Sequence, residues 1–138
     1  LKLALIKMIG LLRWLQASWL FTVRFTRIQA RAIVHAHPPH ATALSMLEKA
    51  ISSIHLREFC GLDQVPVVGW GIEIKPGAIP EVISESLKSH RIVLVHGHGS
   101  FATGQLLDEA FNLTTGLEEA CQILCLLKSM NAGIPSGG

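Results

Sequence analysis

The chain has 138 residues, of which 49% are apolar and 16% charged, and its net charge is +2. That is enough chain for one domain with a sizeable core, and it is too apolar for disorder. The weak charge, with no basic run and no aromatic residues interleaved among basic ones, excludes nucleic acid as a partner.

Residues 1–28 stand apart. The first carboxylate is Glu48, and Lys2, Lys7, Arg13, Arg24, Arg27 and Arg31 all precede it. A membrane anchor is one reading of so apolar and basic a segment. However, its longest uncharged run, residues 14–23, is too short to span a bilayer.

Beyond it, Arg31-Ala-Ile-Val-His35 reads as a buried strand, and His37-Pro-Pro-His40 as a loop, because two prolines cannot continue a central strand. The apolar spacing of Ala43, Leu44, Leu47, Ala50, Ile51 and Ile54 predicts a helix over 41–54. Residues 65–68 read as a short strand. The Gly/Pro-rich stretch 69–80 reads as loop with one strand at 71–74. Ile79-Pro-Glu81 opens a helix to about Ser89, with proline in the first turn, where helices tolerate it. Arg91-Ile-Val-Leu-Val95 is the clearest strand. Gly97 and Gly99 flank His98 in a tight turn, and 100–103 extends as the next strand. Residues 106–130 form a long helix in which Thr115-Gly116 marks a candidate break, and 133–138 is a frayed tail. Helices alternating with strands predict an α/β sandwich with a site at the strand ends, one domain over 29–132, and no internal repeat.

The three cysteines, Cys60, Cys121 and Cys125, have no framework spacing. Reduced thiols in a cytoplasmic protein are expected. Cys121 and Cys125 share a helix face and read as small, buried, apolar residues.

Five of the seven histidines fall in two clusters: His35, His37 and His40, then His96 and His98. Positions i and i+2 of a strand point to one face, so His35 and His37 can present two imidazoles to one ion. A third protein ligand with one open position is the usual catalytic zinc arrangement. The second cluster can supply it, but His96 and His98 have the same spacing, and spacing alone does not choose between them. Gly97 and Gly99 would let the backbone come close to the ion.

Ala32-Ile-Val-His-Ala-His-Pro-Pro-His-Ala-Thr-Ala-Leu-Ser45 resembles the signature of class II aldolases of the fuculose-phosphate aldolase type. Val93-Leu-Val-His-Gly-His-Gly-Ser-Phe-Ala-Thr-Gly104, with Leu107-Asp-Glu-Ala110 and Leu117-Glu-Glu-Ala120, resembles the family's second block. The resemblance implies a three-layer α/β/α sandwich around a mainly antiparallel sheet. It implies a Zn2+ or other divalent ion on His35, His37 and His98. By the same resemblance His96 is not a ligand, and His40 lines the pocket. It further implies a homotetramer with each active site at a subunit boundary. The implied activity is a metal-dependent lyase that cleaves a ketose 1-phosphate, a small sugar phosphate, to dihydroxyacetone phosphate and an aldehyde. A related sugar-phosphate epimerase or dehydratase with the same metal site is the alternative, followed by a non-enzymatic adducin-like assembly module.

The family's acid/base glutamate stands about eighteen residues before the first metal histidine, in a motif like Ala-Ser-Ser-Glu-Leu. Here that position falls at Gln16 and Ala17, with no carboxylate nearby, and the family's upstream phosphate-binding region has no counterpart. No residue of this chain is therefore assigned as catalytic. A shift of reading frame accounts for this. Joining the third base of each codon to the next two lets residues 14–26 read Ala-Ser-Ser-Glu-Leu-Ala-Val-His-Arg-Ala-Ile-Tyr. Residues 1–28 are then a mistranslated segment, with Leu11, Trp14, Trp19 and Phe21 exposed or loosely packed and the activity impaired. A membrane-associating amphipathic segment is the competing account.

Overall fold

The computed structural model describes the backbone of residues 4–7 and all of residues 30–69 and 78–130. The strand expected at 71–74, the tail at 133–138, and Leu11, Trp14, Trp19 and Phe21 lie outside the described residues.

Among the described residues six strands form one sheet: β1 (Ala4–Lys7), β2 (Ala32–Ala36), β3 (Ala50–Ile51), β4 (Val65–Val68), β5 (Ile92–Val95) and β6 (Gly99–Gly104). Their order across the sheet is β1-β2-β6-β5-β4-β3. The pairs β2–β6, β6–β5 and β4–β3 are antiparallel, and β1–β2 and β5–β4 are parallel. The helices are α1 (Pro39–Ser45), α2 (Ile54–Cys60), α3 (Ile79–Ser86) and α4 (Leu107–Ser129).

Strand β5 shows why the molecule is layered. Ile92, Val93, Leu94 and Val95 are all buried, as a strand covered on both faces requires. Successive side chains point to opposite faces. Ile92 and Leu94 join one core with Val34, Ala102, Leu44 of α1, Leu56 of α2 and Leu117 of α4. Val93 and Val95 join a second core with Ile33, Phe101 and Ile83 of α3. Helices thus cover both faces, and the sandwich has three layers.

The helix expected over 41–54 is instead α1, the short strand β3 and the start of α2. Leu47 and Ile54 continue the helical spacing but are 68% and 73% exposed, so they belong to no buried stripe. Two hydrogen bonds redirect the chain here, one tertiary and one local. The Lys49 carbonyl accepts from Val67 N–H at 3.0 Å, drawing the segment to the sheet edge. The Ser53 hydroxyl then accepts from Leu56 N–H at 3.0 Å and caps a new helix.

Helix α4 runs unbroken through Thr115-Gly116. A Cβ on Gly116 would lie 2.7 Å from Cys60 Sγ, so glycine is there to let α2 pack against α4. Strand β1 was not expected. Its short apolar run sits inside the anomalous segment, and its parallel pairing with β2 makes β2 an interior strand. Among the described residues, no helix is long and apolar enough to cross a membrane.

Leu117 is fully buried in the larger core, whereas Leu126 on the same helix is 56% exposed. Leu117→Ala is expected to cost about 2–5 kcal/mol in urea unfolding. Leu126→Ala should stay within about 0.5 kcal/mol. Equal effects would contradict the orientation of α4.

Candidate metal centre

Three structural pieces meet at one end of the sheet. Strand β2 carries His35, the loop before α1 carries His37, and the turn between β5 and β6 carries His98. One ring nitrogen from each can be chosen so that all three lie within 4.8 Å of one another. The His35 and His37 Nε2 atoms are 3.1 Å apart. Two nitrogens each at 2.0–2.1 Å from a tetrahedral ion would be separated by roughly 3.3–3.4 Å, so the pair is close to a chelating geometry.

The β2–β6 ladder creates this convergence. Its register sets His35 opposite Phe101 and Ala36 opposite Ser100. The His35 and Phe101 rings stack with centroids 4.0 Å apart, which fixes the plane of the imidazole. His35 Nδ1 lies 2.9 Å from the Ser100 carbonyl oxygen. A carbonyl only accepts, so Nδ1 carries the proton and Nε2 presents its lone pair. A metal-ligating histidine usually makes this kind of bond with its second nitrogen. The His98 ring is nearly parallel to that of His35, at 5.3 Å, and the His37 ring stands edge-on to both.

Gly97 adopts a left-handed φ of 64°, which turns the chain toward β6. His98 N–H closes that turn on the Val95 carbonyl at 2.9 Å. Gly99 meets a different need. A Cβ there would strike the Ala36 carbonyl oxygen and come within 2.7 Å of the His37 ring.

Burial, and then the nearby His37, lower the pKa of His98 below its ordinary value. Its neutral, electron-donating form is therefore favoured. His35 and His98 are half-buried and His37 is exposed, so the cluster is open on one side.

The remaining candidates go elsewhere. His96 is exposed and outside the cluster, and its backbone N–H bonds the Val68 carbonyl at 3.0 Å. His40 is also outside it. Its Nδ1 lies 2.6 Å from Glu118 Oε1 on α4. The three thiols are free and packed against the larger core. Burial raises the pKa of each, that of Cys121 to about 12 with Glu118 as the next cause, so they stay protonated.

Sequence reasoning missed the Glu118 partnership, although Glu118 lies in the quoted block Leu117-Glu-Glu-Ala120. A carboxylate 78 residues from His40 cannot be paired with it by spacing. It also missed the stacking of Phe101, which only the strand register reveals.

Comparison with known proteins places these features in context. Residues 20–125 match the family model described as the class II aldolase and adducin N-terminal domain. The L-fuculose phosphate aldolase of Haemophilus influenzae is 30% identical over 122 residues, covering 86% of this chain and 56% of that protein. The rhamnulose-1-phosphate aldolase of Pectobacterium atrosepticum is 33% identical over 111 residues, covering 72% of this chain and 39% of that protein. The crystal structure of L-fuculose-1-phosphate aldolase from Thermus thermophilus superposes with a TM-score of 0.72 at 31% identity, over 86% of this chain and 65% of that one. The chain thus spans about half the length, or less, of these two curated relatives.

Proposed function

The chain belongs to the class II aldolase and adducin N-terminal domain family, and from that premise we propose that it is the metal-dependent domain of a cytoplasmic sugar-phosphate aldolase. The reaction is cleavage of a ketose 1-phosphate of the fuculose or rhamnulose type to dihydroxyacetone phosphate and an aldehyde. The observation that carries this reading is the convergence of His35, His37 and His98 at the strand ends. The domain proper runs over 29–132, and the working assembly is a homotetramer.

In this reading the three imidazoles hold one divalent ion, zinc by preference. The donor set fits: all are nitrogens, His35 has its tautomer set by Ser100, and the rings converge. When bound, the ion would supply Lewis-acid stabilisation of negative charge on the substrate oxygens. Neutral imidazoles leave its positive charge largely intact. The chain's own residues do the positioning. Phe101 backs His35, and the turn at Gly97 delivers His98. The exposed side at His37 leaves room for substrate.

Proton transfer needs a further group. Among the described residues the cluster contains no carboxylate. The family's acid/base position falls at Gln16 and Ala17, neither of which can serve. Turnover by the chain as written is therefore proposed to be impaired, and a frame change over 14–26 is the proposed cause. A related sugar-phosphate epimerase or dehydratase on the same three histidines is the second reading, and it would yield an isomeric or a dehydrated sugar phosphate in place of an aldehyde. The adducin-like reading ranks lower, because adducin-like members lose the metal histidines and this chain keeps all three.

Two measurements test this proposal. Purified from zinc-containing medium, the chain should hold about one ion, as read by elemental analysis. His98→Ala should lose most of it and His96→Ala almost none; equal losses would overturn the ligand set. Separately, residues 14–25 can be recoded to Ala-Ser-Ser-Glu-Leu-Ala-Val-His-Arg-Ala-Ile-Tyr, which keeps Glu eighteen residues before His35, and the family's upstream phosphate-binding region can be restored with it. Aldehyde release from fuculose and rhamnulose 1-phosphates should then rise on the order of 10²–10⁴-fold, the usual weight of a positioned acid/base. Equal rates before and after would rule out the frame change.

A further inference from the structure

The short helix α1 lies between the two ligand-bearing segments and is fastened at both ends. Its N-cap, Pro38, follows directly on His37. Pro38 and Pro39 have no N–H, so the first unpaired donors of the helix are those of His40 and Ala41. Both go to one carboxylate: His40 N–H reaches Glu118 Oε1 at 3.0 Å, and Ala41 N–H reaches Glu118 Oε2 at 3.0 Å. The same Oε1 receives the His40 ring nitrogen Nδ1 at 2.6 Å. Glu118 belongs to the long helix α4, which is packed into the larger core through Leu117, Ala120 and Cys121. An anion at a helix N-terminus is favoured by the helix dipole as well.

At the other end, the fully buried Ser45 is the last residue of α1. Its hydroxyl donates to the Thr42 carbonyl at 2.6 Å and accepts from Gly97 N–H at 2.9 Å. Gly97 directly precedes His98. The helix therefore ties the backbone after His37, through seven residues, to the backbone before His98.

We propose that α1 is a strut that sets the separation of His37 and His98, with Glu118 and Ser45 as its two positioning residues. The inference rests on the reading that these histidines share an ion. Neither residue touches the ion; each acts through the backbone beside a ligand. Loss of such outer contacts typically costs about 10–100-fold in metal affinity.

The test uses the full chain and Co2+ as a spectroscopic probe, with Zn2+ affinity read by chelator competition. Glu118→Gln keeps the shape but replaces the second acceptor with a donor. Ser45→Ala removes one hydroxyl. Arg57→Ala, which breaks the exposed Arg57–Asp63 pair, serves as a control. Circular dichroism of the metal-free variants reports whether each is folded, and Glu118→Asp and Ser45→Thr provide milder replacements should either fail. The strut predicts a loss of about 10–100-fold in Zn2+ affinity for Glu118→Gln and Ser45→Ala. It also predicts an altered Co2+ visible spectrum for both and no change for Arg57→Ala. Folded variants with unchanged affinity and spectrum would overturn the strut while leaving the three-histidine site standing. Failure of the unmodified chain to bind either ion would overturn that site and the strut with it.

Discussion

In the β2–β6 ladder, His35 lies across from Phe101 and Ala36 from Ser100, and this register decides which face of the sheet the histidines occupy. Side chains alternate along a strand, so a slip of one residue would carry His35 to the face packed by α1 and α4. The register is held because both faces are committed. Ile33 and Val34 are each buried, in different cores, and neither can exchange places with the other. The same pairing puts Gly99 beneath the His37 ring, where any side chain would collide. A backbone contact far simpler than the chemistry it serves thus sets the position of two of the three imidazoles.

The third imidazole depends on β5. That strand is buried along its whole length, and the turn after it is pinned from two sides, by the Val95 carbonyl and by the Ser45 hydroxyl. His98 is therefore presented from a stiff element, as a preorganised site requires. Partial burial, and then His37, lower its pKa below the ordinary histidine value, which favours the neutral form whose lone pair a ligand would need. Rigid backing and partial desolvation favour the same outcome at this position.

Much of this was legible from the residues. The apolar, β-branched run at 92–95 reads as a strand buried on both faces, as it is, and two such runs ending in His-x-His pointed to a site at the strand ends. What escaped was tertiary. Leu47 and Ile54 extend a helical spacing, but both face solvent, while hydrogen bonds accepted by the Lys49 carbonyl and the Ser53 hydroxyl redirect the chain. Gly116 reads as a helix break until Cys60 and Phe59 are seen to fill the space a side chain would occupy. Glu118 reads as an ordinary helix carboxylate until the paired prolines are seen to leave the His40 and Ala41 donors waiting for it. Apart from the local Ser53 cap, the deciding partner in each case lies far away in sequence, where periodicity has no reach.

The central claim is that His35, His37 and His98 together bind one divalent ion. X-ray absorption at the zinc edge of the loaded chain tests it most directly. The account predicts three imidazole nitrogens at about 2.0–2.1 Å, with the remaining coordination from light oxygen donors. A first shell containing sulfur at about 2.3 Å, or one that keeps three imidazoles in the His98→Ala variant, would contradict it.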